Sequence, residues 1–251
     1  MSPRRIVLAT GALLLVVTAA RRVGASGTEE VELGAGAGAG TGGWACGPTV
    51  RTTYAGAYGG ARHREETPGP DRGGGFDADL SIAVHQESHQ LVDCGGDEGC
   101  DPPDDGVVPG VGARVGWSWR WFGVRAGGLA LAAWGRERGR AWAVLPQLEL
   151  GVGPEERFRG YLGYGSPLPQ LARHPGLYLG ATFPAGALRL DTYAGMFRTG
   201  PSYQVLGLQL VTAALLPVDD GATALRIGAN LGAGRGDAPS YGASIGVVSR
   251  F

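Results

Sequence analysis

The sequence predicts an all-β chain closed into an antiparallel up-and-down barrel that crosses a membrane. Three observations carry this expectation. Alternation of period two recurs along the chain, while helical periodicity is nearly absent after residue 26. The alternating segments run to about nine to thirteen residues. That suits a tilted membrane-crossing strand and exceeds the ~5–6 residues of an average soluble one. The connectors alternate between short and long, as they do when one side carries turns and the other carries loops.

The clearest strands are 76–84, 142–152, 188–196, 204–212 and 223–231. In the first, Phe76, Ala78, Leu80, Ile82 and Val84 form one row, and Asp77, Asp79 and Ser81 form the other. Weaker strands are expected at about 48–60, 111–120, 122–134, 157–165, 176–184 and 241–251. These make eleven, whereas single-chain bacterial barrels have an even number. About twelve strands are therefore expected. The twelfth is either EVELGAGAG, 30–38, or a short strand within 86–110. Dropping 48–60 would give ten. Residues 26–47 thus read as a Gly/Ala-rich linker or a weak first strand, and 48–251 as the barrel.

Short connectors fall near 120–122, 153–156, 184–186 and 217–221, with longer or more polar ones between them. Aromatic residues cluster at strand ends. Trp117, Trp119 and Trp121 approach one turn, while Trp134 with Trp142 and Phe197 with Tyr203 flank two loops. Amphipathic rings are favoured where membrane meets water. The rows opposite the apolar ones hold Gly, Ala and Ser with isolated charges, which suits a narrow polar interior better than a water-exposed surface.

The first 25 residues read as a secretory signal peptide. A basic start is followed by a fifteen-residue apolar run, then small residues Val23 and Ala25 before a cleavage point. The run is short for a spanning helix. Export implies an oxidising compartment. Cys94 and Cys100 enclose five residues and are the natural disulfide pair, with Cys46 left over or pairing with one of them instead. All 22 basic residues are arginine. Without residues 1–25, which hold four of them and no acid, the formal charge falls from −1 to about −5. This argues against nucleic acid as a partner.

With its leader, alternation, sorted loops and terminal Phe251, the chain resembles bacterial outer-membrane β-barrel proteins over about residues 48–251. The resemblance is to an architecture and to no particular family. It implies residence in the bacterial outer membrane, contact with outer-membrane lipid, and recognition by the barrel-insertion machinery. Such proteins usually end on an aromatic residue preceded by apolar residues at alternate positions. Tyr241, Ile245, Val247 and Phe251 match that insertion signal, and Ser249 departs from it.

Barrel enzymes were weighed against this resemblance. Lipid-hydrolysing barrels place a His and a Ser two residues apart on one strand, so that the His can activate the hydroxyl. No H-x-S occurs here, and His85 and Ser88 are three apart. Barrel proteases add an Asp–His pair to a pair of Asp residues. Asp77 and Asp79 share a face, but no D-x-H occurs. An enzyme, a metal and a cofactor are not expected. The isolated charges are instead expected to form a lumen network, since unpaired charge in a narrow interior is costly. Its candidates are Arg51, Asp77, Asp79, Arg114, Arg125, Glu149, Arg189, Asp191 and Arg226. The acidic segment 86–108 reads as a solvated loop. The expected function is a structural or small-pore barrel, with small solutes as partners if the lumen is open. Two alternatives are a soluble secreted or periplasmic barrel holding an apolar ligand, and an outer-membrane lipid hydrolase with an unrecognised site.

Overall fold

The computed structural model describes residues 27–43, 49–65, 75–93, 105–135, 140–154, 157–168, 176–199, 204–218, 222–233 and 239–251. The leader and all three cysteines lie outside the described residues, as do Tyr203 and residues 94–104 of the acidic segment; its flanks, 86–93 and 106–108, are not loop as expected but belong to strands.

Twelve strands form one closed antiparallel barrel in which every strand pairs with its sequence neighbours and the last pairs with the first. They are β1 (Gly27–Gly43), β2 (Thr49–Glu65), β3 (Gly75–Asp93), β4 (Gly106–Ser118), β5 (Phe122–Gly135) and β6 (Arg140–Val152), followed by β7 (Arg159–Gly165), β8 (Gly176–Ala185), β9 (Leu188–Thr199), β10 (Gln204–Pro217), β11 (Thr223–Ala233) and β12 (Pro239–Arg250). The eleven expected segments all fall on strands. The twelfth is the Gly/Ala-rich stretch, and among the described residues no additional strand lies between β3 and β4, which pair directly. Closure gives every strand two neighbours, though the short β7 pairs with β6 only over Leu148–Val152.

One end of the barrel, the terminus end, carries the start of β1, the C-terminal Phe251 and the tightest turns. The turn from β8 to β9 is only Gly186–Ala187, with Gly186 at φ +66°, a left-handed value suited to the first position of a two-residue hairpin turn. At the other end, the loop end, β3 is succeeded by β4, and β5 by β6.

The barrel's polarity is inverted relative to a soluble protein. Leu80, Val111, Val115, Leu148, Leu162, Leu179, Leu210, Ile227, Leu231 and Ile245 are exposed on the outer face. The buried polar residues, among them Glu32, Asp77, Arg114, Glu149, Asp191 and Arg226, lie on the inward rows. Trp117, Trp119, Trp121 and Phe122 are exposed at the terminus end, and Trp134 and Trp142 at the loop end. From Tyr241 to Phe251 the outer row of β12 covers about 25 Å along the barrel axis, at ~3.3 Å per residue and a tilt of ~40°. That matches the height of a membrane barrel's apolar band.

The inward glycines have a steric use. Tyr58 and Tyr54 of β2 lie over the wall made by β1 and β12. A Cβ on Gly34 or Gly246 would run into the Tyr58 ring or its hydroxyl, and one on Gly38 or Gly242 into that of Tyr54. Tyr178 lies over Gly163 and Tyr193 over Gly180 in the same way. The stretch GAGAGAG is therefore a wall strand whose bare inner face seats aromatic rings.

The last strand is held to its end. Phe251 N donates to Glu29 O at 2.9 Å, Glu29 N donates to Phe251 O at 3.2 Å, and Arg250 N donates to Ala222 O at 2.7 Å. Tyr241, Ile245, Val247 and Phe251 all face outward. Deleting Phe251 is expected to lower the yield of membrane-assembled protein several-fold in cells. The comparison is made by outer-membrane fractionation and heat-modifiable gel mobility. Equal insertion by the truncated chain would show that this tail carries no signal.

Candidate functional site: a charge-lined lumen

Two ion-pair networks face each other across the barrel interior. The first spans β2 to β6 and reaches β8. Asp77 on β3 accepts from Arg62 Nε at 3.2 Å and lies 3.1 Å from Arg125 Nη2. Arg125 Nη1 donates to Glu149 Oε1 at 3.1 Å, and Arg114 Nη1 donates to Glu149 Oε2 at 3.4 Å. Tyr178 on β8 donates its hydroxyl to the same carboxylate at 2.7 Å. Arg114 Nε reaches back to Asp79 Oδ1 at 3.0 Å.

The second network joins β1, β8, β9 and β11. Asp191 accepts from Thr182 Oγ1 at 2.8 Å, Arg189 Nε at 3.2 Å and Arg226 Nη1 at 3.1 Å. Arg226 Nε lies 3.0 Å from Glu32 Oε1. Most carboxylates in the two networks hold two partners. That is the condition under which buried charge is tolerable, because a desolvated oxygen regains a donor; Glu32 Oε1 and Arg226 Nε are the exception, 3.0 Å apart as an ion pair without hydrogen-bond geometry.

The strand register explains this assembly. Side chains of period two point to one side, and directly paired residues share a face. Arg125 stands opposite Glu149, and Asp79 opposite Arg114. Asp77, Asp79, Arg114, Arg125, Glu149, Arg189, Asp191 and Arg226 are all brought inward. Arg51 is not. It belongs to the odd row of β2, is exposed, and stands opposite Thr41 and Gln90 near the loop end. There the outer face meets water, so a charge stays solvated.

Four participants lie outside the residues expected from sequence, Thr182 of β8 among them. Glu32 lies in β1, where glycine and alanine give the alternation little contrast. Arg62 lies beyond the expected end of β2, though it continues the inward row of Tyr54 and Tyr58. Tyr178 was read as part of a strand without a role.

The β7–β8 connection also enters the lumen. Gly165 has φ +130°, a value side chains rarely adopt, and there the chain turns inward. Ser166 N then donates to Gln147 Oε1 at 3.0 Å, while Gln147 Nε2 donates to Gly128 O at 3.1 Å. Leu168 is buried with Tyr161, Tyr178, Tyr193, Val211 and Ala213. Sequence length alone could not show that this loop dips inside.

Space remains between the networks. A cavity of about 90 Å³, open to solvent, is lined by five arginines (Arg62, Arg114, Arg125, Arg189 and Arg226), by the acids Glu30, Glu32, Asp79 and Asp191, and by Tyr161, Tyr193 and Leu168. A second cavity of about 20 Å³, room for one water, is lined by Tyr54, His85 and Asn230. Among the described residues no group of three or more His, Cys, Asp or Glu side chains is arranged to hold a metal ion.

With the barrel and its lumen established, comparison with solved structures places the architecture. A crystal structure of an outer membrane channel from Pseudomonas putida F1 superimposes with a TM-score of 0.51 at 12% sequence identity. The match covers 91% of this chain and 97% of that one. The two chains share a barrel fold. No family model matches the sequence. No curated protein matches it either.

Proposed function

We propose that the chain is an outer-membrane channel of narrow bore for small solutes. The carrying observation is the inverted polarity: an apolar outer belt with aromatic ends, and charge confined to the inside. A soluble barrel holding an apolar ligand needs the opposite arrangement, with the apolar rows inward and the charges in water. The shared fold with an outer membrane channel supports the same reading.

The solvent-open cavity between paired charges supports conduction, since rings of charged side chains select among solutes at a constriction. Leu168 and the seated tyrosines narrow the bore. The first network ties β2–β6 to β8 and the second ties β1 to β11 across the closure seam, so together they hold the barrel's cross-section.

The test is planar-bilayer recording with purified protein that shows heat-modifiable mobility. Discrete, small current steps are expected. Correctly folded, inserted protein that passes no current would replace the channel with a sealed structural barrel. Extraction of the protein without detergent would remove the membrane from the reading altogether.

A further inference from the structure

Arg62 and Arg189 stand on well-separated walls, on β2 and β9, and line the same cavity of about 90 Å³. Each is the accessible member of its ion pair. The Arg62 side chain is 23% exposed against 0% for Asp77, and Arg189 is 34% exposed against 3% for Asp191. Asp77 sits behind its arginine, and the Arg62 and Arg189 guanidinium groups face the space, which Asp191, Asp79, Glu30 and Glu32 also line.

Neither arginine is needed to keep its carboxylate paired. Asp77 also meets Arg125 at 3.1 Å, and Asp191 also meets Arg226 at 3.1 Å. The other accessible acids at the cavity are engaged as well: Glu30 by Arg250 at 3.1 Å and Asp79 by Arg114 at 3.0 Å. Two like charges facing one space in a low-dielectric wall cost energy, and an anion between them reverses the sign of that term.

The cavity also has an apolar side. Tyr161 and Tyr193 have ring centroids 6.1 Å apart, and Leu168 packs into the same cluster. A planar guanidinium matches a carboxylate with two parallel hydrogen bonds. The apolar wall favours a ligand with a compact apolar body over a bare inorganic anion. We propose that Arg62 and Arg189 form a binding site for a small organic carboxylate, with Tyr161, Tyr193 and Leu168 receiving its apolar part. This rests on the reading of the lumen as open to solutes and names the solute class.

The test is calorimetric titration of folded protein in detergent with sodium benzoate, at constant ionic strength. Benzyl alcohol and inorganic phosphate serve as parallel probes. Saturable benzoate binding is expected, with the other two at least about tenfold weaker. Arg62→Gln and Arg189→Gln should each weaken benzoate about tenfold or more while keeping heat-modifiable mobility, because each carboxylate retains its second arginine. Equal binding of benzyl alcohol, equal binding of phosphate, or unchanged affinity in both variants would overturn the site. Benzoate binding by a barrel that shows no conductance would keep the site and overturn the channel. Conductance without benzoate binding would do the reverse.

Discussion

Glu149→Ala is expected to destabilise the barrel by about 3 kcal/mol, near the lower end of the cost of breaking a buried ion pair. Glu149 is the node at which β4, β5 and β8 meet β6, through Arg114, Arg125 and the Tyr178 hydroxyl. Removing it leaves three buried donors short of an acceptor. The loss stays near the low end because Asp79 still holds Arg114 and Asp77 still holds Arg125. Glu149→Gln should cost less, since its carbonyl can still accept from Tyr178. The measurement is the urea dependence of the heat-modifiable folded fraction in lipid or detergent. A loss within about 0.5 kcal/mol, the range of ordinary surface substitutions, would show that the network is not load-sharing.

Ile227→Arg is expected to cost about 2–4 kcal/mol when the protein folds into lipid vesicles. Ile227 lies midway along the outer row of β11, is exposed, and stands opposite Ile245. In a membrane that position meets hydrocarbon, where a guanidinium loses its hydration. In water the same change would be nearly neutral. An Arg at Thr223, at the terminus end of the same row, should cost ~0–1 kcal/mol, because the penalty falls towards the interface. Equal and small effects at both positions would contradict a membrane-embedded belt.

The strands were legible because their two rows differ in chemistry. Asp77, Asp79 and Ser81 against Phe76, Leu80 and Ile82 leave no doubt about which side each faces. From there parity alone turns Arg114, Arg125 and Glu149 inward. Arg51 was misassigned because the reading matched charges to charges without carrying the parity of β2 through Tyr54 and Tyr58. β1 was ambiguous because glycine and alanine differ by one methyl group. The inward loop left no trace, since its entry depends on Gly165 adopting a left-handed backbone and on Gln147 meeting it from another strand.

The bare strand β1 raises a question of assembly order. Its repeat GAGAGAG maps onto itself after a slip of two residues, with glycine still inside and alanine still outside. Binary pattern therefore does not choose its alignment, and glycine-rich strands are prone to slippage. The choice falls to a few side chains. Glu32 must meet Arg226 on β11, and Glu30 must meet Arg250 on β12. Tyr54 reaches across β1 and β12 to Asn230, whose Nδ2 donates to its hydroxyl at 3.3 Å. The seam also joins residues more than 200 positions apart, such as Glu30 and Arg250. Contacts of such separation form slowly. Closure is expected late on that ground, and a zipper with little alignment of its own is aligned there by Tyr54, Tyr58 and two ion pairs.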